Sequence, residues 1–294
     1  MEQARINMIK IKAYQTYLFE AEKSPTTINK YIRDIKGFFA YLSEDKVISK
    51  DSSVHYKQFL CDKGYQLVSI NSMLVSINGL LDFLNLTKLK LKLYKIQRKT
   101  FYEEDKELTK EEYKRLLEAA LHNDNKRLYM LLQTICGTGI RVSEHQFITV
   151  EALQESKATI HNKGKVRVIF IPDQLTKILL EYCHKEGIKT GAIFITKTGK
   201  PIDRSNIWES MKKLCTQANV AHHKVFPHNL RHLFAITYYR LQKDVVRLAD
   251  VLGHASIETT RIYTMTSGKE CAKTVSKLNL TIQFKHENKL PHII

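Results

Sequence analysis

Hydrophobic residues recur at three- and four-residue steps along most of this chain, and no other feature limits its fold as strongly. The clearest run follows Ser24 and Pro25, which are typical of a helix N-cap and first helical position. Its apolar members are Ile28, Tyr31, Ile32, Ile35, Phe38, Phe39 and Leu42. Similar patterns predict a helix before it and two more, at 54–61 and 69–84. We therefore expect residues 1–87 to form a small domain of four helices.

The helical spacing is interrupted between residues 158 and 172. Two short runs of alternating residues flank a turn at Asn162–Lys165, which predicts a β-hairpin, and a further short strand is predicted at 192–195. Helices are predicted on both sides, the first beginning at a capping box of Thr109 and Glu112. The chain is thus predicted to be mainly α, with one small antiparallel sheet in residues 108–280.

A basic segment separates the two predicted domains. It contains no acidic residue between the cations Lys88, Lys90, Lys92, Lys95, Arg98 and Lys99. We interpret residues 88–107 as an interdomain linker whose cations can lie against a phosphate backbone. Residues 281–294 are interpreted as a C-terminal tail.

Composition narrows the class of partner without indicating the chemistry. Lysine and arginine number 47 against 30 acidic residues, a net charge of +17, and such an excess attracts polyanions, of which nucleic acid is the commonest. No apolar run approaches the ~18 residues that span a bilayer, and no secretory segment opens the chain, so a cytoplasmic protein is expected. The five scattered cysteines contain no CxxC pair, which argues against disulfides and a zinc cage.

Four segments of the second domain concentrate residues that handle phosphate. They are Gly137–Glu144 around Arg141, the hairpin turn with Lys163 and Lys165, His228–His232 around Arg231, and Leu252–Thr264 with His254 and Tyr263. Taken singly, each has an ordinary structural explanation. The histidines 222, 223, 228 and 232 also admit a zinc interpretation, but no HExxH motif or cysteine pair supports it.

Taken together, these segments resemble the tyrosine recombinase family, which includes phage integrases and Xer-type recombinases. Gly139–Glu144 (GIRVSE) is similar to the first family signature. His228–Ala235 matches HxLRHxxA in full, and Leu252–Tyr263 matches LGHxxxxTTxxY in full. The resemblance covers the whole second domain. It further implies that the first domain is the family's SAM-like core-binding domain, which clamps DNA.

One position departs from the family pattern, and the identity of the family's hairpin lysine is ambiguous. His145 is polar where the family usually carries an apolar residue after the Arg-x-x-Glu segment. The family's hairpin lysine precedes a glycine, which favours Lys163, although Lys165 is an open alternative.

The resemblance implies a role for each residue of the motifs. Arg141 and Arg231 would clamp the phosphate, because a guanidinium matches phosphate geometry bidentately. Tyr263 would attack phosphorus to give a 3′-phosphotyrosyl enzyme, with His228 as proton acceptor. Lys163 would protonate the departing 5′ oxygen and His254 would hydrogen-bond the phosphate. Glu144 and His232 would orient these groups.

The resulting functional hypothesis is a site-specific DNA recombinase that serves integration, excision or resolution of a mobile element. The covalent link conserves the phosphodiester energy and cations stabilise the charge, so neither a metal nor another cofactor is expected. The family implies double-stranded DNA as partner and a homotetramer on it. The alternatives are a type IB topoisomerase-like enzyme that nicks and closes DNA, and a noncatalytic DNA-binding regulator.

Overall fold

The computed structural model describes residues 3–97, 104–162, 165–265, 268–278 and 280, although the side chains of 104, 162, 165 and 268–270 are outside the description. The chain divides into two compact units, Met1–Arg98 and Lys99–Ile294. Within the described residues both units are mainly helical, and the strands form two small antiparallel pairs. The predicted fold class is therefore confirmed. None of the helices in the described ranges is long and apolar enough to cross a bilayer.

The first unit packs helices around one hydrophobic core. They are α1 (Met8–Glu20), α2 (Pro25–Tyr41), α3 (Lys50–Asp62) and α4 (Leu67–Phe83). The predicted N-cap is confirmed, because the Ser24 hydroxyl accepts from the backbone N–H of Thr27. The two-residue strands β1 (Ala4–Arg5) and β2 (Val47–Ile48) pair with each other. They were not predicted, since two residues carry no periodic signal.

Residues 88–97 of the predicted linker pack on the first unit. Asn78 pairs with the backbone of Leu91 through two hydrogen bonds of 2.9 and 2.8 Å. Asn71, seven residues earlier in α4, pairs in the same way with the backbone of Tyr94 at 2.9 and 2.8 Å. Lys57 of α3 adds a hydrogen bond to the carbonyl of Lys92. Two amide side chains thus take the place of a partner strand for this segment.

The second unit places a two-stranded hairpin against a helical core. Its helices are α5 (Lys110–His122), α6 (Lys126–Thr138), α7 (Val150–Gln154), α8 (Asp173–Lys185), α9 (Arg204–Lys213), α10 (Pro227–Gln242), α11 (Val245–Leu252), α12 (Ile257–Thr260) and α13 (Gly268–Lys277). The strands β3 (Lys157–Asn162) and β4 (Lys165–Phe170) confirm the predicted hairpin. The capping box of Thr109 and Glu112 is confirmed by its two reciprocal hydrogen bonds.

The strand predicted at 192–195 was wrong. Ala192 and Ile195 each form one isolated bridge, to Thr149 and Pro201. Ile193 and Phe194 are fully buried, so the apolar run reflects packing into the core of the second unit. A short buried run does not by itself distinguish a strand from an irregular core segment.

Candidate active site

Arg141 lies just after helix α6, at a turn that favours glycine. Gly139 ends the helix with φ of +68°, and a Cβ atom there would lie 2.4 Å from the ring of Phe234. The backbone N–H and the guanidinium of Arg141 donate to the two carboxylate oxygens of Glu144, at 2.7 and 2.9 Å. Glu144 is buried, whereas the Arg141 side chain is 37% exposed. Glu144 therefore orients a guanidinium that a phosphate can still reach.

Arg231 is held by main-chain carbonyls from two different segments. Its side chain projects from α10 and the residue is 1% exposed. Its guanidinium donates to the carbonyl of Gly139 at 2.6 Å and to that of Leu252 at 2.7 Å. Burial and then the charge of Arg141 lower the pKa of Arg231 to about 10, so it remains a cation at neutral pH.

His254 follows α11 and is fixed by a partner on each ring nitrogen. Nε2 lies 3.0 Å from the Arg231 guanidinium and Nδ1 lies 2.8 Å from the Thr260 hydroxyl. Because arginine only donates, Nε2 is the acceptor and Nδ1 carries the proton. Burial, followed by the charges of Arg231 and Arg141, lowers the pKa of His254 to about 4. The imidazole is therefore neutral at physiological pH.

Tyr263 is buried among these groups, at the end of a turn that follows α12. The residue is 3% exposed. Its ring meets that of His232 edge-on at 4.7 Å between centroids and stacks on His254 at 6.1 Å. Burial raises the pKa of the phenol, whereas the charge and hydrogen bond of Arg231, and then the charge of Arg141, lower it. The structure thus brings together the tyrosine, both arginines and His254.

The two other histidines of the second motif differ in exposure. His228 opens α10 with an exposed ring. Desolvation by the protein atoms around it, and then the charges of His232 and Arg231, lower the pKa of His228. His232 is 9% exposed, and its Nδ1 lies 2.5 Å from a carboxylate oxygen of Glu107. Glu107 was missed in the sequence, since it precedes α5 and lies in none of the motifs.

Arg167 of β4 is a second residue that the motifs did not indicate. Its guanidinium lies 2.5 Å from Glu144 and donates to the carbonyl of Leu252. Its side chain is 13% exposed, whereas Val166 and Val168 on either side are 62% and 47% exposed. A signal was available, because strand alternation places Arg167 on the same face as the buried Ile169.

A cavity of about 840 Å³ opens beside Arg141, Arg231 and His228 within the second unit. Its wall also contains Arg204 and Trp208 of α9, and the indole is 47% exposed. An accessible aromatic ring beside several cations is suited to a nucleic acid. Neither α9 residue was predicted.

Some predicted residues lie outside the described part of the chain. They are Lys163, Arg98, Lys99 and the side chain of Lys165. Lys88, Lys92 and Lys95 are exposed on the first unit, whereas the ammonium of Lys90 pairs with Asp82 at 2.9 Å. His222 and His223 form a short 3₁₀ turn, and a ring nitrogen of His223 contacts the carbonyl of Asp105. Within the described ranges no group of three or more His, Cys, Asp or Glu residues is placed to hold a metal.

Comparison with known proteins decides the family. The model of the phage integrase family matches residues 106–270, and that of the phage integrase N-terminal SAM-like domain matches residues 11–88. The chain belongs to the phage integrase family. The predicted membership of this family of tyrosine recombinases is confirmed, and with it the prediction of an enzyme for site-specific DNA recombination.

Similar proteins match this chain over different lengths. A tyrosine recombinase XerA from Pyrococcus furiosus is 28% identical over 278 residues, which cover 92% of this chain and 94% of the relative. XerH from Campylobacter jejuni is 34% identical over 171 residues, covering 53% of this chain and 47% of the relative. A lambda integrase tetramer bound to a Holliday junction shares the fold, with a TM-score of 0.70 at 17% identity over 86% of this chain and 76% of that one.

Proposed function

We propose that this protein cuts and rejoins double-stranded DNA at a specific site, with Tyr263 as the nucleophile. The observation that carries the assignment is the position of the phenol, which is buried beside Arg231, His232 and His254. Two arginines and an accessible cavity with a basic wall are the environment that a phosphodiester requires. Tyr263 would attack phosphorus, form a 3′-phosphotyrosyl bond and release the 5′ oxygen of the neighbouring nucleotide.

Arg141 and Arg231 would neutralise the nonbridging oxygens from different sides. Two N–H groups of Arg231 donate to main-chain carbonyls, and the residue is nearly inaccessible. Arg231 would therefore act mainly through its fixed charge on Tyr263 and the phosphate. Arg141 is the accessible member of the pair and would bind the phosphate directly. A fixed charge of this kind needs no reorganisation when the negative charge develops.

Two protons must move in this reaction. The phenol proton would pass to His228, whose lowered pKa leaves the imidazole neutral and able to accept at pH 7. Lys163 would protonate the 5′ oxygen that leaves, and Lys165 is the alternative donor. Both lysine assignments are based on the sequence.

His254 would act through Arg231 rather than as a free donor. Its Nε2 accepts from the guanidinium, while Thr260 occupies Nδ1. A hydrogen bond from Nε2 to the phosphate, as the family resemblance implies, would require His254 to be protonated or to change tautomer. The described geometry therefore favours a role in orienting Arg231.

The proposed partner is double-stranded DNA, bound by a homotetramer. Exchange between two duplexes breaks four strands, so four copies of Tyr263 are needed. A lambda integrase of the same fold is a tetramer on a Holliday junction, which supports this assembly. The exposed Lys88, Lys92 and Lys95 would contact phosphates from the first unit. A cytoplasmic location stays a prediction.

A nicked suicide duplex that contains sequence flanking the gene tests the covalent mechanism. We expect a protein–DNA adduct on a denaturing gel with the wild type and none with Tyr263→Phe. Tyr182→Phe, which alters a buried tyrosine in α8, is the matched control and should form the adduct. The adduct should persist in EDTA. Tight binding without an adduct would favour the noncatalytic regulator, and relaxation of plasmids that lack the site would favour the topoisomerase.

A further inference from the structure

Arg167 occupies the point at which both phosphate-binding arginines are anchored. It shares the carboxylate of Glu144 with Arg141. It also shares the carbonyl of Leu252 with Arg231. We propose that Arg167 is a positioning residue that sets Arg141 and Arg231 for catalysis without touching the DNA, an inference that rests on the proposed function.

The burial of Glu144 explains why the guanidinium of Arg167 is needed in addition to that of Arg141. Its carboxylate is 2% exposed, so it cannot be solvated by water. One oxygen accepts from the Arg141 guanidinium at 2.9 Å. The other accepts from the Arg141 backbone at 2.7 Å and from Arg167 at 2.5 Å. Without Arg167 a buried carboxylate loses a charged partner, and it would turn toward the remaining cation, Arg141.

The second anchor is the backbone that leads from α11 to His254. Arg167 and Arg231 both donate to the carbonyl of Leu252. The next residue, Gly253, has φ of +62°, and a Cβ atom there would lie 2.4 Å from a guanidinium nitrogen of Arg167. The backbone and this side chain therefore fit against each other without spare room. Loss of Arg167 would leave the carbonyl that holds Arg231 less firmly fixed.

The position of Arg167 in the fold, away from the cavity that Arg141 and Arg231 line, favours a role other than direct contact with DNA. Its side chain is 13% exposed, compared with 37% for Arg141. It lies on the inward face of β4, and Arg141 rather than Arg167 borders the large cavity. Its influence on the reaction therefore passes through Glu144 and Leu252.

The effect of Arg167 on how Arg141 and Arg231 stabilise the phosphate can be measured by removing a charge from the scissile phosphate. A methylphosphonate replaces one nonbridging oxygen by a methyl group, so the transition state needs less cationic stabilisation. We would compare suicide duplexes of gene-flanking sequence that carry either a phosphate or a methylphosphonate at the cleavage point. Single-turnover adduct formation would be followed for the wild type, Arg141→Ala and Arg167→Met. Val168→Ala, an exposed neighbour on the same strand, is the control.

If the proposal holds, Arg167→Met slows cleavage of the phosphate by about 10- to 100-fold, the effect of losing a hydrogen bond to a buried charged group. The deficit should shrink on the methylphosphonate, as it does for Arg141→Ala. Arg167→Lys keeps the buried charge but lacks the fork that reaches both anchors, so it should show a smaller defect of the same pattern. This variant also carries the test if Arg167→Met does not fold.

Other results would overturn the proposal in distinguishable ways. Equal losses on both substrates for the Arg167 variants, with Arg141→Ala relieved by the methylphosphonate, would mean a purely structural role. Rates like those of the Val168→Ala control would mean no role. If Arg141→Ala is not relieved either, the proposed arginine clamp itself fails, and the positioning role falls with it.

Discussion

Arg231 donates to Nε2 of His254 over 3.0 Å, and this contact decides which nitrogen of the histidine carries the proton. The other nitrogen donates to the hydroxyl of Thr260 over 2.8 Å. His254 is thus a neutral link between a buried guanidinium and the helix that precedes Tyr263. The chain Thr260–His254–Arg231 connects the proposed nucleophile's own segment to the cation beside it.

Thr260→Val should weaken catalysis while leaving the fold in place. The substitution keeps the side-chain shape but removes the acceptor for Nδ1 of His254, so the imidazole can rotate away from Arg231. Loss of one such hydrogen bond costs on the order of 1 kcal/mol, which corresponds to a roughly 5- to 10-fold slower adduct formation. Thr259→Val, at the exposed neighbouring position, is the control. Equal rates for the two variants would show that the link to Thr260 does not matter.

Gly253→Ala should destabilise the protein more than the same change at a similar turn. Gly253 and Gly191 have φ of +62° and +73°, so alanine is strained at both by on the order of 1 kcal/mol. Only at Gly253 would the new Cβ also meet Arg167, at 2.4 Å. Thermal unfolding should therefore show a larger drop in Tm for Gly253→Ala. Similar drops would mean that Arg167 moves aside at little cost.

The departure from the family pattern at His145 predicts a pH effect on stability. His145 is buried, its Nδ1 contacts the carbonyl of Val142 at 2.5 Å, and Nε2 has no partner. Burial lowers the pKa of His145 below its ordinary value. As pH falls through about 6.5, the unfolded chain binds a proton that the folded protein resists. Stability is therefore retained above this pH and lost below it.

His145→Leu should accordingly reduce the acid sensitivity of the folded state. Denaturant unfolding between about pH 7.5 and 5.5 measures it, and the free energy of unfolding should fall less steeply in the variant than in the wild type. The free energy of unfolding of the variant should still depend on pH, because the pKa values of His228 and His254 are lowered as well. An unchanged slope would mean that His145 is protonated freely in the folded protein.

Glu107→Gln should shift the pH profile of cleavage. Burial raises the pKa of Tyr263, Arg231 and Arg141 oppose this, and the charge of Glu107 adds to the rise. The same charge also raises the pKa of His228, the proposed proton acceptor. Removing it should therefore move the rising limb of the single-turnover pH–rate profile to lower pH. Glu111→Gln changes an exposed carboxylate of α5 and should leave the profile in place. A shift to higher pH in Glu107→Gln would contradict the proposed influence on the phenol.

The sequence predicted those parts of the site that lie in contiguous motifs. Periodicity and caps located helices such as α2 and α5, and the three signatures contained Arg141, Arg231, His254 and Tyr263. Glu107 and Arg167 were not predicted, because each reaches the site from a segment distant in sequence, and only the folded chain makes them neighbours of His232 and Glu144.

The interpretation of 88–107 as a linker shows a different limit of the sequence. Its cations were interpreted as a linker that can lie against a phosphate backbone, whereas Leu89 and Leu91 between the lysines are buried in the first unit. Leu89 ends a short 3₁₀ turn and Leu91 lies in the irregular segment after it, so no periodic spacing marks the two buried positions. The side-chain amides of Asn71 and Asn78 in α4 form the hydrogen bonds that hold the backbone of this segment. The spacing of the two asparagines in the sequence does not predict this pairing.

The two asparagine pairs on Leu91 and Tyr94 have a practical consequence for dividing this protein. A fragment that stops at residue 87 would leave the side-chain amides of Asn71 and Asn78 without their backbone partners. It would also expose the part of the hydrophobic core that Leu89 and Leu91 cover. We expect such a fragment to aggregate, whereas one that ends at residue 97 keeps residues 88–97 packed on α4 and should fold on its own. The boundary of the first unit therefore lies at least 14 residues beyond Phe83, where α4 ends.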